Sequence, residues 1–328
     1  MSTLQELLAW GTSLLAEGGN PSPALDAALF LAEASGIPRE KLYISPLVLG
    51  EDQRSLFFSF IERRRNREPA AYILGRREFW GLDFTLGPGV LIPRPDTETL
   101  VEAALAVIRA GFPPSGSPPP PGGGGPSLLD LCTGSGAVAV ALKHTWPALE
   151  AWGTDLSPEA LGCARRNARR LLGEGAVRFL EGDLFEALRG KAAGEDPPPA
   201  PPRRFTLITA NPPYIPRSMI PALEAEIRRE PVLALDGGPG GLDLIRRIIA
   251  GAPPRLEAGG TLLMEADPSQ MARTVRLMEK RGFGTLRIHR DLAGRDRVIQ
   301  GTLPSPAPPE ADRPPGNRRG GPLEPAFS

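Results

Sequence analysis

The 328-residue chain has only two cysteines, Cys132 and Cys163, and two histidines, His144 and His289. These are too few for most zinc sites or for a disulfide framework, so no metal is expected. The thiols read as small buried side chains in a reducing compartment. An excess of either charge is also missing, with 38 basic and 38 acidic side chains. A protein gripping a nucleic-acid backbone over a long footprint usually carries a basic surplus, so DNA is not the expected partner. No apolar run approaches the ~20 residues that span a bilayer. The first basic residue is Arg39, with Glu6 and Glu17 before it, which fits neither a secretory signal nor an Arg-rich transit peptide. A cytoplasmic protein with no membrane contact is the expectation. Hydrophobic residues at 41% and charged residues at 23% are the proportions of a globular chain.

Proline, by contrast, is abundant and uneven. Seven of the 39 lie in Pro113 to Pro126, five in Pro197 to Pro202 and eight in Pro304 to Pro325. Such stretches bury no core. They read as loop insertions at about 113–126 and 195–204 and a disordered Pro-rich tail over 304–328. Before them, Leu4, Leu7, Leu8 and Leu15 share a helical face. Ser22-Pro23 reads as an N-cap with proline at the first helical position. Leu56/Phe60 and Phe57/Ile61 mark a third helix, ending in Arg63-Arg64-Arg65-Asn66-Arg67, which reads as a solvated basic face. Residues 1–75 are therefore expected to be a helical bundle. Residues 1–87 carry 9 basic and 11 acidic side chains. Glu78 to Phe84 reads as a hairpin turning at Gly81, within a linker over 76–96. A helix is expected from about Thr97 to Ala110.

From Ser127 the pattern alternates. Strands are expected at Ser127–Cys132, Ala151–Asp155, Ala176–Glu181, Phe205–Ala210, Thr261–Glu265, Thr285–His289 and Val298–Leu303. Helices are expected at Ala137–His144, from Ser157-Pro158 to about Leu172, and from Pro268 under an Asp267 cap. Alternation of this kind predicts an α/β domain over 97–303, a Rossmann-like, doubly wound, mainly parallel sheet.

Ligands in such sheets sit beyond the carboxyl ends of the strands. The first strand runs through Asp130-Leu131-Cys132-Thr133-Gly134-Ser135-Gly136 into a helix, and the second ends in Asp155. Glycines let the backbone approach a ligand, and a carboxylate there can accept ribose hydroxyl protons. The pattern indicates a nucleotide-type cofactor, and dehydrogenases share it. The fourth strand then delivers Asn211-Pro212-Pro213-Tyr214. Prolines fix the backbone and donate no hydrogen bond, so the Asn211 side-chain oxygen and the Pro212 carbonyl can accept both hydrogens of an NH2 group. Tyr214 offers a flat stacking face. The arrangement suits methylation of a planar nitrogen, amide or nucleobase, by S-adenosylmethionine.

With these residues in view, the chain resembles the PrmC (HemK) family of protein-(glutamine-N5) methyltransferases. The resemblance rests on Glu68 to Gly75, Arg77 to Leu82, Leu91-Ile92-Pro93-Arg94-Pro95-Asp96-Thr97-Glu98, Asn211 to Tyr214, Glu230-Pro231, Gly240-Gly241-Leu242 and Asp291 to Arg297. It implies a class I S-adenosylmethionine-dependent methyltransferase fold behind an N-terminal, release-factor-binding bundle. It implies methylation of the glutamine in the Gly-Gly-Gln motif of class-1 peptide chain release factors. By motif, Thr133, Gly134, Ser135 and Gly136 would cradle the methionine part of the cofactor. Asp155 would hold the ribose, and Asp183 and Leu184 would lie beside adenine. Asn211, Pro212, Pro213 and Tyr214 would bind the glutamine, with Asn211, Pro212 and Tyr214 catalytic and Asn211 also bordering the cofactor. Ile92 to Pro95 would wall the same cleft. Cys132 replaces the loop's usual first glycine, tolerable if its φ stays negative. A monomer is expected. Rival readings are a ribosomal-protein glutamine methyltransferase, a DNA or RNA amino-methyltransferase, which would need a target-recognition module, and a non-catalytic or dehydrogenase-type nucleotide-binding domain.

Overall fold

The computed structural model describes residues 3–112, 125–189 and 200–305. Most of the two expected Pro-rich insertions and nearly all of the tail fall outside those residues. The amino-terminal part is helical: α1 (Leu4–Glu17), α2 (Pro23–Ser35), α3 (Glu51–Arg65) and α4 (Ala70–Leu74). Thr3 and Glu6 close α1 with a reciprocal capping box. Ser22 stands at the N-cap of α2, but its side chain makes no capping bond, contrary to expectation. Leu4, Leu15, Phe30, Leu31, Phe57 and Ile61 form the bundle's buried core.

The basic cluster at the end of α3 also departs from expectation. Arg64 is buried, with Nε donating to Asp26 at 2.6 Å and Nη1 to Glu226 at 2.9 Å. Arg67 Nη2 donates to the other Glu226 oxygen at 2.7 Å. Arg63 and Arg65 stay at the surface, paired with Glu68 and Glu62. The cluster is therefore half solvated face and half a tie to a carboxylate 162 residues away.

The hairpin β1 (Arg76–Phe79) and β2 (Leu82–Thr85) turns through Trp80 and Gly81, both at positive φ. Trp80 is held there because its Nε1 donates to Thr145 and its backbone N–H to Glu98. α5 (Glu98–Gly111) then leads into the sheet.

That sheet has β3 (Ser127–Leu131), β4 (Glu150–Asp155), β5 (Val177–Glu181), β6 (Phe205–Ala210), β7 (Leu256–Glu265), β8 (Thr285–Arg290) and β9 (Asp296–Thr302) in the order β5-β4-β3-β6-β7-β9-β8. The first five strands are parallel, and β9 enters antiparallel between β7 and β8. Period-2 alternation feeds two layers. Leu128, Ala151, Leu207 and Leu263 face a core with α5, α6 (Ala137–Thr145) and α7 (Pro158–Leu172). Leu129, Trp152, Ile208 and Leu262 face the opposite core with α8 (Asp243–Gly251) and α9 (Met271–Lys280). Ser157 caps α7 through Ala160 N–H, and Asp267 caps the short turn before α9, both as the sequence leads one to expect. α8 is not foreseen. Its nine residues lie between a glycine run and Pro253, too short for periodicity to stand out.

Arg64→Ala would strand Asp26 and Glu226 without their shared cation. Breaking a buried ion pair costs about 3–5 kcal/mol, and urea unfolding is expected to register a loss of that order. A loss below about 1 kcal/mol, the range of surface pairs, would contradict the assignment.

Candidate active site

The order of strands creates the site. β3 lies between β4 and β6, and the connection leaving β3 runs to α6 on one face while that leaving β6 runs to α8 on the other, the place where such sheets bind ligands. Leu131 is opposite Ala210 in the ladder, so Cys132 and Asn211 leave adjacent strands side by side. An open cleft of about 750 Å³, part of it continuous with solvent, runs along this edge. Gly134, Asp155, Asp183, Leu184, Asn211 and Pro213 are among the residues lining it. A second cavity of about 510 Å³ is lined by Leu91, Arg94, Asn211, Pro212, Tyr214 and Ile227, among others. Asn211 lines both cavities and marks where they meet.

The loop after β3 is held from below. Asp130 is fully buried and accepts from Thr133 Oγ1 at 2.6 Å and Thr209 Oγ1 at 2.7 Å. Burial pushes its carboxyl up to about 6, against the lowering effect of those two hydroxyls. Thr133 thus turns its side chain inward, and Ser135 is buried with its carbonyl accepting from Asn167. A Cβ on Gly136 would press on Ala164, so that glycine serves the packing of α6 on α7. Thr133, Ser135 and Gly136 shape the loop, while Cys132 and Gly134 line the cleft.

Cys132 lies at φ +55, not at the negative value that would make it a comfortable replacement for glycine. The left-handed region costs an ordinary residue about 1–2 kcal/mol. Its thiol is raised well above the usual range, first by burial and then by Asp155 and Asp130, and stays protonated. Asp155 accepts from Gly134 N–H at 2.8 Å and from Ser157 N–H at 3.0 Å, one bond to each oxygen. Each oxygen keeps capacity for another donor. Burial raises its pKa. At the far end Asp183 pairs with Arg247 at 2.8 Å beside Leu184.

On the β6 side, Asn211 Nδ2 donates to Thr97 Oγ1 at 3.1 Å, and Thr97 donates to Glu265 at 2.7 Å. The Tyr214 hydroxyl donates to the other Glu265 oxygen at 3.2 Å. Burial, with Glu265 beside it, raises the phenol, which remains a donor. Burial likewise raises Glu265, the last residue of β7. The Tyr214 carbonyl accepts from Gln270, and a Cβ on Gly237 would lie 2.8 Å from Tyr214 backbone atoms. Glu230 fixes the facing wall by accepting from Ile92 N–H at 3.0 Å and pairing with Arg94. Of the expected wall, Ile92 to Pro95, Arg94 lines the second cavity, whereas Ile92 packs into a small core with Tyr72 and Val90; Leu91, just before it, lines both cavities. No cluster of metal-ligating side chains occurs among the described residues. No helix among them is long and apolar enough to cross a membrane.

Two family models match the chain: the PrmC N-terminal domain over residues 6–75 and a methyltransferase domain over residues 128–237. A release factor glutamine methyltransferase of Geobacter sulfurreducens is 38% identical over 304 residues, 92% of this chain and 97% of the relative. One of Pseudomonas aeruginosa is 41% identical over 283 residues, covering 86% and 93%. The chain belongs to the release factor glutamine methyltransferase family. Among solved structures, a release factor-specific protein-(glutamine-N5) methyltransferase from Alicyclobacillus acidocaldarius is 28% identical and covers 67% of this chain and 99% of its own, with a TM-score of 0.37. The class I methyltransferase fold expected from the sequence is the one observed.

For this methyltransferase the cleft can be tested against S-adenosylmethionine by its donors and shape. Gly134 at φ +55 leaves open space where a side chain would stand. Asp155 offers a carboxylate midway, and Leu156, Leu184 and Leu244 give apolar walls near Asp183. A polar ribose between a methionine chain and a flat base fits that sequence of surfaces. Thr97, Glu230 and Glu265 are members of the site that the sequence motifs did not single out. Thr97 and Glu230 lie within family-like segments, but only the fold reveals their partners.

Asp130 provides a pH test. Its folded value near 6 lies above the unfolded value near 3.9. The stability it contributes is therefore full below about pH 4 and is lost as pH rises through about 6. Unfolding free energies of wild type and Asp130→Asn, compared by urea titration, should shift against the wild type across that window. A difference independent of pH would contradict this.

Proposed function

We propose that the protein transfers a methyl group from S-adenosylmethionine to the side-chain amide nitrogen of the glutamine in the Gly-Gly-Gln motif of class-1 peptide chain release factors. The observation that carries the reading is Asn211, which borders both cavities with its Nδ2 engaged by Thr97 and its Oδ1 without a hydrogen-bond partner among the described residues. The names of the relatives, release factor glutamine methyltransferases, support the same substrate.

When bound, S-adenosylmethionine supplies an electrophilic methyl group on a sulfonium. Asp155 would hold its ribose, Gly134 and Cys132 would border its methionine part, and Asp183 and Leu184 its base. The protein's task concerns the nucleophile. A primary amide nitrogen is weak because its lone pair is delocalised into the carbonyl. Asn211 Oδ1 and the Pro212 carbonyl accept its two N–H bonds, favouring pyramidal character and aiming the lone pair into the cofactor cleft. Those carbonyl dipoles also stabilise positive charge developing on nitrogen. Orienting two reactants in this way is worth up to roughly 7–11 kcal/mol in favourable cases. No separate strong base is required, since an alkylated, still-protonated amide is acidic enough to lose its proton to water. Leu91, Ile227 and Leu235 give the second cavity apolar walls suited to the glutamine's methylenes.

The amino-terminal bundle is the proposed release-factor-binding part. The segment after the motif supports this, because Glu226 and Arg229 bond to the end of α3 and bring the bundle against the cavity wall. A DNA or RNA amino group is disfavoured by the neutral charge and by the absence of a further module among the described residues.

The test incubates the enzyme and Asn211→Ala with labelled S-adenosylmethionine and full-length release factor, its Gln→Ala variant, a ribosomal-protein substrate, or DNA. Label should enter only the intact release factor. Asn211→Ala should lower the rate at least about 100-fold, the scale of losing one electrostatic contact in a transition state. Labelling of DNA, or equal labelling of the Gln→Ala variant, would overturn the reading.

A further inference from the structure

The two ends of an asparagine amide have nearly the same shape and opposite hydrogen-bonding character. If Asn211 turned its NH2 toward the cleft, it would meet the substrate NH2 donor to donor. The methyl acceptor would then be repelled instead of held. Something must select one orientation of the amide, and Pro212, with no N–H, cannot.

We infer that Thr97 is the positioning residue that locks the Asn211 amide with its oxygen toward the substrate, with Glu265 setting the polarity of the Thr97 hydroxyl. This deepens the reading in which Asn211 accepts from the glutamine amide, and it rests on that reading. The direction of each bond follows from the last group in the chain. Both Glu265 oxygens act as acceptors, one taking the Tyr214 hydroxyl and the other the Thr97 hydroxyl at 2.7 Å. The Thr97 oxygen is then left as an acceptor. The Asn211 atom 3.1 Å away must accordingly be the donor Nδ2. Oδ1 is the end that remains.

Thr97 is placed for this and for nothing else that threonines usually do. It occupies the N-cap position of α5, yet its backbone is helical, at φ −69 and ψ −17, and its side chain makes no capping bond. It is 4% exposed, so water does not compete for the hydroxyl. Glu265 is brought to the same point by the sheet. Ala210 is opposite Met264 in the β6–β7 ladder, so the residues that follow, Asn211 and Glu265, start from neighbouring strand ends. The second Glu265 oxygen takes the Tyr214 hydroxyl at 3.2 Å. One buried carboxylate thereby orients the motif at both ends, through Thr97 at Asn211 and directly at Tyr214.

The experiment compares Thr97→Val, which keeps the shape and removes the hydroxyl, with Thr97→Ser, which keeps the hydroxyl. Asn211→Ala is run alongside. Methyl transfer to the release factor gives kcat and KM, and titration with S-adenosylhomocysteine gives cofactor-site affinity. Thr97→Val should lower kcat about 10- to 100-fold, the scale of a misplaced reacting group. KM for the release factor and affinity for S-adenosylhomocysteine should stay within about threefold. Thr97→Ser should recover most of the rate. If Thr97→Val fails to fold, Thr97→Ala replaces it, with the same expectation.

A wild-type kcat in Thr97→Val overturns the inference, as does Thr97→Ser being as slow as Thr97→Val, which would assign the effect to shape. Should Asn211→Ala be inactive while Thr97→Val is fully active, only the role of Thr97 fails. Should Asn211→Ala itself keep the wild-type rate, the assignment of Asn211 fails and takes the inference with it.

Discussion

The parallel pairing of β3 with β6, in which Leu131 faces Ala210, fixes where the chemistry of this protein sits. A glycine loop and an Asn-Pro-Pro-Tyr segment lie 75 residues or more apart in the sequence. They become neighbours only because the two strands run side by side and end level. A register shift of one residue would turn every inward side chain of β6 to the opposite layer. Leu207 and Ile208, buried in opposite cores, make that shift prohibitive. The hydrophobic layers therefore specify the active-site geometry from beneath it.

Polar groups under the site refine what the sheet arranges. Asp130 gathers Thr133 from the loop and Thr209 from β6, so both strand ends answer to one buried carboxylate. Glu265 does the same on the next strand for Thr97 and Tyr214. A third carboxylate, Glu226, ties the wall beyond the motif to Arg64 and Arg67 of the helical bundle, and Glu230 ties it to Arg94. Burying such groups is costly unless their partners are in place. Each therefore rewards one arrangement of segments distant in sequence. The bundle and the catalytic domain are in this way joined beside the second cavity, so that their relative placement depends on the same buried carboxylates.

Much of this was legible in the sequence wherever the signal was local. The glycine loop, the carboxylate ending β4 and the Asn-Pro-Pro-Tyr segment are each short local features, and the alternation of strands and helices sets them on one edge. The alternation also leads to a doubly wound, mainly parallel sheet, and the family resemblance to the class I methyltransferase fold. What escaped depends on contacts across long stretches of chain. Nothing in the run Arg63 to Arg67 distinguishes the two arginines that turn inward, because their partners lie at Asp26 and Glu226. Thr97 looks like the start of a helix, and its meaning emerges only beside Glu265. The positive φ of Cys132 is set by the geometry of the turn into α6, while its residue type suggests otherwise. Ser22 has the right residue for a cap, but its φ of −136 and ψ of 58 leave its hydroxyl without the capping bond.

The central claim is that carbonyl oxygens of Asn211 and Pro212 receive the glutamine amide. It is tested most directly by a structure of the protein with S-adenosylhomocysteine and a Gly-Gly-Gln peptide. The account predicts the glutamine nitrogen within about 2.7–3.2 Å of both Asn211 Oδ1 and the Pro212 carbonyl oxygen. A glutamine nitrogen bound away from both oxygens, or facing Asn211 Nδ2, would contradict it.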